Sequence, residues 1–414
     1  MKRTFSFLFS ALLAAGMLFS CNSPAGTPTG TSDPDLGWLF LDKGPYTLET
    51  RVKATPGKAS FQLVTDRSLM LDEADVIFSA EVDVAADSTI CVALGNLAPG
   101  FYQVRLCDSV RFNIGVRPDA VVSEPDPQSD FNAFWEQTLA ELAEVPLEVE
   151  WTEIPEFSNE VRTCYEVRYP AWGGAVSGGI ISIPNAEGKY PVCIQYMGYG
   201  APVYHFDPNA DADRIDFMVS VRDQGIFKGN QNRWIDRGLD SKETFYYRGA
   251  FCDARQAVDF VASLEKADAS RIVAFGESQG GALTFIAAAF DGRIKAIAPS
   301  VPFLGDYPDY WKIVWWPMHE VFEQADKEGI DREALMTMMS YFDVKNFAGR
   351  IHCPVFMAFG LQDAVCPPHT NFSIYNNLGT GNRKFLCVPT CGHAMWQQAV
   401  WDRERASFLE GFLR

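Results

Sequence analysis

Histidine is scarce in this sequence, with five residues in 414, so few side chains are candidates for a general base near neutral pH. Positive charge is also in short supply: 35 Lys and Arg stand against 53 Asp and Glu, a formal charge of −18 at pH 7. Such a field repels polyanions, so nucleic acid and an anionic membrane surface are excluded as natural partners and a neutral substrate fits better. The ten cysteines follow no repeating interval, which excludes a small disulfide-built scaffold. No Cys/His group has the spacing of a zinc site. Beyond the first twenty residues, no apolar run is long and unbroken enough to span a bilayer.

What is present begins with a leader. Lys2 and Arg3 precede an almost unbroken apolar run from Phe5 to Phe19, and Leu18-Phe19-Ser20-Cys21 then places a small residue before a cysteine. Residues 1–20 read as a secretory signal peptide, and their ending is similar to a bacterial lipobox, in which Cys21 is lipidated and becomes the mature N-terminus. The expected location is therefore the cell envelope, periplasm or outer membrane, with membrane attachment only through Cys21. Loss of Lys2 and Arg3 takes the formal charge from −18 to −20. Residues 21–34, rich in Ser, Thr, Pro and Gly, read as a flexible tether. Of the other nine cysteines, Cys91 and Cys107 lie symmetrically about a turn at Pro99 and would face each other in a hairpin, while Cys387 and Cys391 sit close to His393. The sequence leaves both pairings open.

Two folded units follow, as expected for a chain of this length. Across 35–118, short alternating runs at Tyr46–Val52, Ser60–Val64, Val76–Val84 and Phe101–Leu106 predict a small all-β sandwich. The segment Leu97-Ala98-Pro99-Gly100-Phe101-Tyr102 resembles the last turn and following strand of immunoglobulin-like modules. Pro118, Pro125 and Pro127 mark a junction, after which Asp130 is expected to cap a helix carrying Phe131, Phe134, Trp135, Leu139 and Leu142 at helical spacing. Within 119–414, strands at 178–183, 192–197, 217–221, 271–275, 294–298, 354–359 and 384–388 alternate with helices at 247–264, 280–290, 371–378 and 396–413. A long irregular segment runs to about Asn346. That alternation predicts an α/β fold with a mostly parallel sheet, helices on both faces and the site at the strand C-termini.

Gly276-Glu277-Ser278-Gln279-Gly280 lies between a β-branched strand and a helix opened by small residues. A nucleophile elbow needs that context. The turn holds Ser278 in an unfavourable backbone conformation, and side chains two positions before and after it would clash, so glycine stands at 276 and 280. A serine nucleophile needs a base, and the base needs an acid to set its tautomer. His393 lies in a loop after the last predicted strand, behind Gly392. Asp363 follows the strand 354–359, giving the order Ser, Asp, His of α/β-hydrolases. His352 and His369 flank that strand and the following helix and read as packing or capping groups; His205 and His319 fall in loops or inserts. Glu277 reads as structural, directed away from the nucleophile. For the oxyanion, the expected donors are the backbone N–H of Gln279 and that of Tyr199, in the Gly198-Tyr199-Gly200 loop.

These residues carry a resemblance. Gly276 through Ala282, Val301-Pro302-Phe303-Leu304, Asp363 with Cys366-Pro367-Pro368, and Asp130-Phe131-Asn132-Ala133-Phe134-Trp135 are similar to the acetyl xylan esterase and cephalosporin C deacetylase group, carbohydrate esterase family seven, over roughly residues 125–414. The resemblance implies removal of acetyl groups from sugar hydroxyls through an acetyl-enzyme, without metal or cofactor. The implied partner is an acetylated oligosaccharide or another small acetyl ester. It also implies homo-oligomers, since related esterases assemble into rings, although a tethered β unit obstructs that packing. Three positions depart from the family pattern: Asp223 stands for glycine in Arg222-Asp223-Gln224-Gly225, Met197 for histidine before Gly198-Tyr199, and Ala394 for glutamate after His393. From Phe303 to Trp316 the chain holds Phe303, Tyr307, Tyr310, Trp311, Trp315 and Trp316, rings that either stack on sugars or, the favoured reading, form the core of a lid. Two other classes share parts of this pattern. A prolyl-oligopeptidase-type peptidase has the same elbow, but 118 residues are too few for its propeller. A non-catalytic glycan-binding lipoprotein would keep the fold without needing an intact triad.

Overall fold

The computed structural model describes residues 37–52, 56–85, 88–107, 110–227 and 234–414; the signal, Cys21 and the tether lie outside the described residues. The N-terminal strands are β1 (Leu39–Phe40), β2 (Tyr46–Val52), β3 (Gly57–Thr65), β4 (Val76–Val84), β5 (Ser88–Gly95), β6 (Gly100–Leu106) and β7 (Val110–Val116). They form a five-stranded sheet in the order β1-β7-β6-β3-β4 and a two-stranded sheet of β2 and β5. In β2 every second residue is buried, the period-two pattern of a strand with one wet face. Leu48, Val52, Ile90 and Val92 from the small sheet share one core with Phe61, Leu63, Val104 and Phe112 from the larger one.

The hairpin about Pro99 in which Cys91 and Cys107 would face each other does not form. Strand β5 pairs with β2, while β6 pairs with β3 and β7, so the turn at Pro99 crosses between sheets. Cys91, which is exposed, and Cys107 consequently form no disulfide, and neither do Cys387 and Cys391.

The second unit opens with α1 (Phe131–Ala143) and is built on β8 (Glu150–Glu153), β9 (Arg162–Ala171), β10 (Ala175–Pro184), β11 (Tyr190–Tyr196), β12 (Ile215–Ser220), β13 (Ala267–Glu277), β14 (Ile294–Ser300), β15 (Val355–Gly360) and β16 (Arg383–Val388). Its helices continue with α2 (Tyr246–Ser263), α3 (Gln279–Phe290), α4 (Tyr307–Ile313), α5 (Met318–Glu328), α6 (Arg332–Ser340), α7 (Pro368–Asn376) and α8 (Ala399–Leu413). The sheet order is β16-β15-β14-β13-β11-β12-β10-β9-β8, parallel from β16 to β12 and antiparallel through β10, β9 and β8. Every residue of β12 and β15 is buried, as covering on both faces requires.

Two expectations are corrected here. The Asp130 side chain makes no capping bond to α1; its carboxylate instead pairs with Lys242 and the Tyr341 hydroxyl. The segment expected to be irregular up to Asn346 contains α4, α5 and α6. Pro308 and Pro317 sit at helix starts, where a missing N–H costs nothing. Asp331 caps α6 by accepting from the N–H groups of Glu333 and Ala334 at 2.9 and 3.3 Å.

The N-terminal β unit packs on the second unit beside β15. Phe101 is buried against Phe359 and Phe372, with ring centroids 6.5 and 5.7 Å away. The Gln362 amide bridges the seam: its Oε1 accepts from Asn113 N–H at 2.7 Å and its Nε2 donates to the Asn113 and Pro389 carbonyls at 3.1 and 2.8 Å.

Candidate active site

Strand β13 delivers Ser278 at a sharp turn into α3. Its φ of 57° and ψ of −121° lie outside the regions L-residues favour, a conformation costing about 1–3 kcal/mol that surrounding structure must hold. Part of that hold is hydrogen bonding: Ser278 N–H donates to the Ser300 carbonyl, and its own carbonyl accepts from Phe303 N–H, both at 3.0 Å. Steric closeness does the rest. A Cβ at Gly276 would stand 2.5 Å from the Gly280 oxygen, and one at Gly280 would stand 2.1 Å from the Tyr196 oxygen.

Asp363 follows β15 and His393 follows β16, neighbouring parallel strands, so sheet topology brings the two loops together. His393 Nδ1 lies 2.9 Å from Asp363 Oδ2, both side chains being buried. The other Asp363 oxygen accepts from the N–H groups of Val365 and Cys366 at 2.8 and 2.9 Å, which fixes the carboxylate plane. With Nδ1–H donating to Asp363, Nε2 is the nitrogen left to accept a proton. Burial alone would lower the His393 pKa, but the Asp363 charge and then Cys366 outweigh it and hold the imidazole well above its usual value.

The Cys366 thiol lies within hydrogen-bonding reach of both Ser278 and His393. Ser278 and His393 thus both act on this thiol, and the Cys366 backbone N–H ties it to Asp363. Burial raises that thiol's pKa, which keeps it neutral.

Gln279 is the first residue of α3 and fully buried, and the first N–H groups of a helix have no intrahelical partner. Tyr199 follows β11 on the facing loop and is half-buried. A polar web ties these two segments. Gln224 donates from Nε2 to Gln279 Oε1 at 3.1 Å and to Tyr246 Oη at 2.8 Å, and its Oε1 accepts from Gly200 N–H at 3.3 Å. The Tyr247 hydroxyl donates to the same Gln279 oxygen at 3.1 Å. The Asp223 substitution beside Gln224 leaves this web intact, because Asp223 turns instead to Arg237.

Sequence reasoning met Cys366 and Gln224 only inside longer motifs and gave them no role, and it did not single out Tyr247. It read Glu277 as structural and directed away from the nucleophile. Its carboxyl accepts the Trp396 N–H in the loop carrying His393 and feels the His393 charge; burial, the leading cause, pushes its pKa up to about 7. Among the other histidines, His352 bonds the Gly379 carbonyl through Nδ1 at 3.2 Å, and His369 is buried, with Nδ1 3.0 Å from Asp66. Asp306, Asp309 and His369 are close enough together to suggest a metal site. However, Lys345 lies 3.1 Å from Asp306 and Lys312 lies 2.6 Å from Asp309, so the carboxylates already have cationic partners.

A serine on an elbow after a parallel strand, with a carboxylate-bound imidazole delivered by the last strand of the same sheet, defines a serine hydrolase of the α/β-hydrolase superfamily. The match to the acetyl xylan esterase family model runs over residues 121–410, and the chain belongs to that family. It is similar to the acetyl esterase Axe7A of Xylanibacter ruminicola, 25% identical over 340 residues, covering 74% of this chain and 75% of the relative. Among solved structures it is similar to an acetyl xylan esterase from Paenibacillus sp. R4, with 28% identity, a TM-score of 0.65, and coverage of 72% of this chain and 99% of that one. Acetyl xylan esterase 1 from Thermoanaerobacterium sp. JW/SL YS485 gives 27% identity, a TM-score of 0.63, and coverage of 71% and 97%. The chain is therefore a serine carboxylesterase, and the peptidase and non-catalytic readings are not favoured.

Proposed function

We propose that this esterase removes acetyl groups from acetylated carbohydrate, with Ser278 as nucleophile, His393 as general base and Asp363 as the residue orienting it. The observation that carries the reading is the 2.9 Å contact of His393 Nδ1 with Asp363 beside a serine at φ 57°. In the first half-reaction, His393 Nε2 takes the Ser278 proton as Oγ attacks the acetyl carbon. The resulting oxyanion is received by the N–H groups of Gln279 and Tyr199. Collapse returns that proton to the sugar oxygen as the acetyl bond to sugar breaks, leaving acetyl-Ser278 and a free sugar hydroxyl. Water then repeats the cycle, His393 taking its proton, and acetate leaves. No step asks for a metal or a cofactor.

Residues 35–118 act as an immunoglobulin-like sandwich on this reading and 119–414 as the catalytic domain, the two small sheets with a shared core supporting that division. Residues 1–20 export the chain and Cys21 anchors it by lipid at the cell envelope, supported by the Lys2-Arg3 start and the apolar run ending at Ser20-Cys21. Self-association into a homo-oligomer is also part of the proposal. The decisive experiment is Ser278→Ala assayed on p-nitrophenyl acetate. Turnover should disappear while circular dichroism stays unchanged; retained hydrolysis would falsify the assignment.

A further inference from the structure

A cleft of about 510 Å³ separates the N-terminal β unit from the aromatic insert, and the acid loop borders it. One wall comes from Gln103, Arg105 and Asn113 on β6 and β7, residues that precede position 121, where the family match begins. The facing wall is the turn after α4, with Trp315 and Trp316, and Asp363 and Ala364 close one side. Of these lining residues, the esterase machinery described above uses only Asp363.

The lining suits a sugar ring. Trp315 is 45% exposed, and its indole lies nearly parallel to His319, with centroids 5.7 Å apart at 10°, which holds its plane. Across from it the polar groups are also pre-set: Arg105 Nε donates to Gln103 Oε1 at 2.9 Å, and Asn113 is pinned by Gln362 and by the Leu361 carbonyl. An aromatic face opposite a few fixed hydrogen-bonding groups is what a polyhydroxylated ring with an apolar face needs. The cleft also lies close to the reacting groups. Trp316 stacks on Phe303 at 6.4 Å, and Phe303 N–H donates to the Ser278 carbonyl. On the loop between, Pro367 and Pro368 line the cleft while the adjacent Cys366 reaches Ser278 and His393. The net charge of −18 favours a neutral chain over an anionic one.

Resting on the proposed deacetylation, we infer that this cleft is a sugar-binding subsite for the alcohol side of the ester. It would hold a neighbouring unit of a xylan-type oligosaccharide while the acetylated unit sits at Ser278. The N-terminal β unit then selects the substrate as well as packing against the enzyme.

The test compares wild type with Trp315→Ala and Arg105→Gln on acetylated xylo-oligosaccharides and on p-nitrophenyl acetate, which does not span the cleft. For the oligosaccharides, kcat/KM should fall about tenfold in each variant, through KM, the size of a lost stacking or charged contact. Turnover of p-nitrophenyl acetate should stay at the wild-type value. A parallel fall on both substrates, or no change on either, overturns the subsite. Calorimetric titration of Ser278→Ala with xylotetraose judges the cleft independently of turnover: binding that disappears in Ser278→Ala/Trp315→Ala supports it, and binding unaffected by the second change or absent throughout overturns it. Should wild type hydrolyse neither ester while that binding persists, the esterase assignment fails and the sugar site stands.

Discussion

His393 is pulled in opposite directions by its surroundings, and the balance predicts a pH profile. Burial disfavours the imidazolium, yet Asp363 and Cys366 outweigh it and raise the pKa well above the usual value. Only the neutral ring can accept the Ser278 proton, so kcat/KM should climb with pH as that raised pKa is passed. Removing the charge in Asp363→Asn should move the rising limb to lower pH and cut the maximum by about 10⁴-fold, as loss of the orienting acid does in serine hydrolases generally. A pH series of kcat/KM for both proteins checks this, and an unmoved limb would show that another group sets it. Glu277 tests stability instead. Its folded pKa, about 7, lies above the ordinary carboxylate value, so the neutral form is favoured by folding and that advantage is lost as pH rises from about 4.5 through 7. Glu277→Gln should therefore flatten melting temperature against pH in that window. At this scale the candidate residues Ser278, Asp363 and His393 could be named from the sequence because chemistry limits their types and the elbow limits their neighbours. Cys366 could not, since its role comes only from lying beside two side chains far away in sequence.

The loops after β15 and β16 must cross closely for aspartate to meet histidine. Gly360 makes that crossing: a Cβ there would stand 2.1 Å from the Gly392 oxygen and 2.5 Å from that of Cys391. Gly360→Ala should destabilise by about 1–3 kcal/mol or more through overpacking, read as a lower urea midpoint, with activity falling as the two loops part. Wild-type behaviour in that variant would mean the loops have slack. At the scale of elements, strands and helices with clear periodicity, such as Val76–Val84 and α1, were legible in the sequence. The insert was not. Its helices α4 to α6 are short, two of them start at prolines, and they bury scattered aromatics such as Tyr307, Tyr310 and Phe322, so no regular stripe announces them. The edge strand β8 and its neighbour β9 were passed over too; β8 is exposed at all its positions, which removes the apolar alternation that marks a strand.

His369 joins the two units of the molecule. Its Nδ1 bonds Asp66 of the β unit, while Nε2 faces Asp309 at 3.6 Å and Asp306 at 4.0 Å, with Lys345, Lys312 and Arg67 on the outer sides of those carboxylates. Burial would lower its pKa, but Asp66 and then Asp306 and Asp309 outweigh that and raise it. A raised folded pKa means the stabilisation is complete below the unfolded value, about 6.5, and is lost as pH rises through the folded one. Thermal melts of the whole chain should therefore weaken across that window, and His369→Gln should remove the dependence. A variant with the wild-type slope would assign it elsewhere. Phe101 supplies the apolar half of the same seam, and Phe101→Ala should lower unfolding free energy by about 3–5 kcal/mol in chemical denaturation.

By itself the sequence determined the chemistry: the elbow glycines, the Ser, Asp, His order and the alternation of strands and helices are local patterns that sterics and hydrogen bonding impose on any chain making this turn and sheet. Only tertiary structure decided which strands pair across Pro99, what Cys366 and Gln224 touch, and that Arg105 and Trp315 face one cleft. Those facts depend on contacts between residues tens to hundreds of positions apart, for which neighbouring sequence carries no periodic or steric signal.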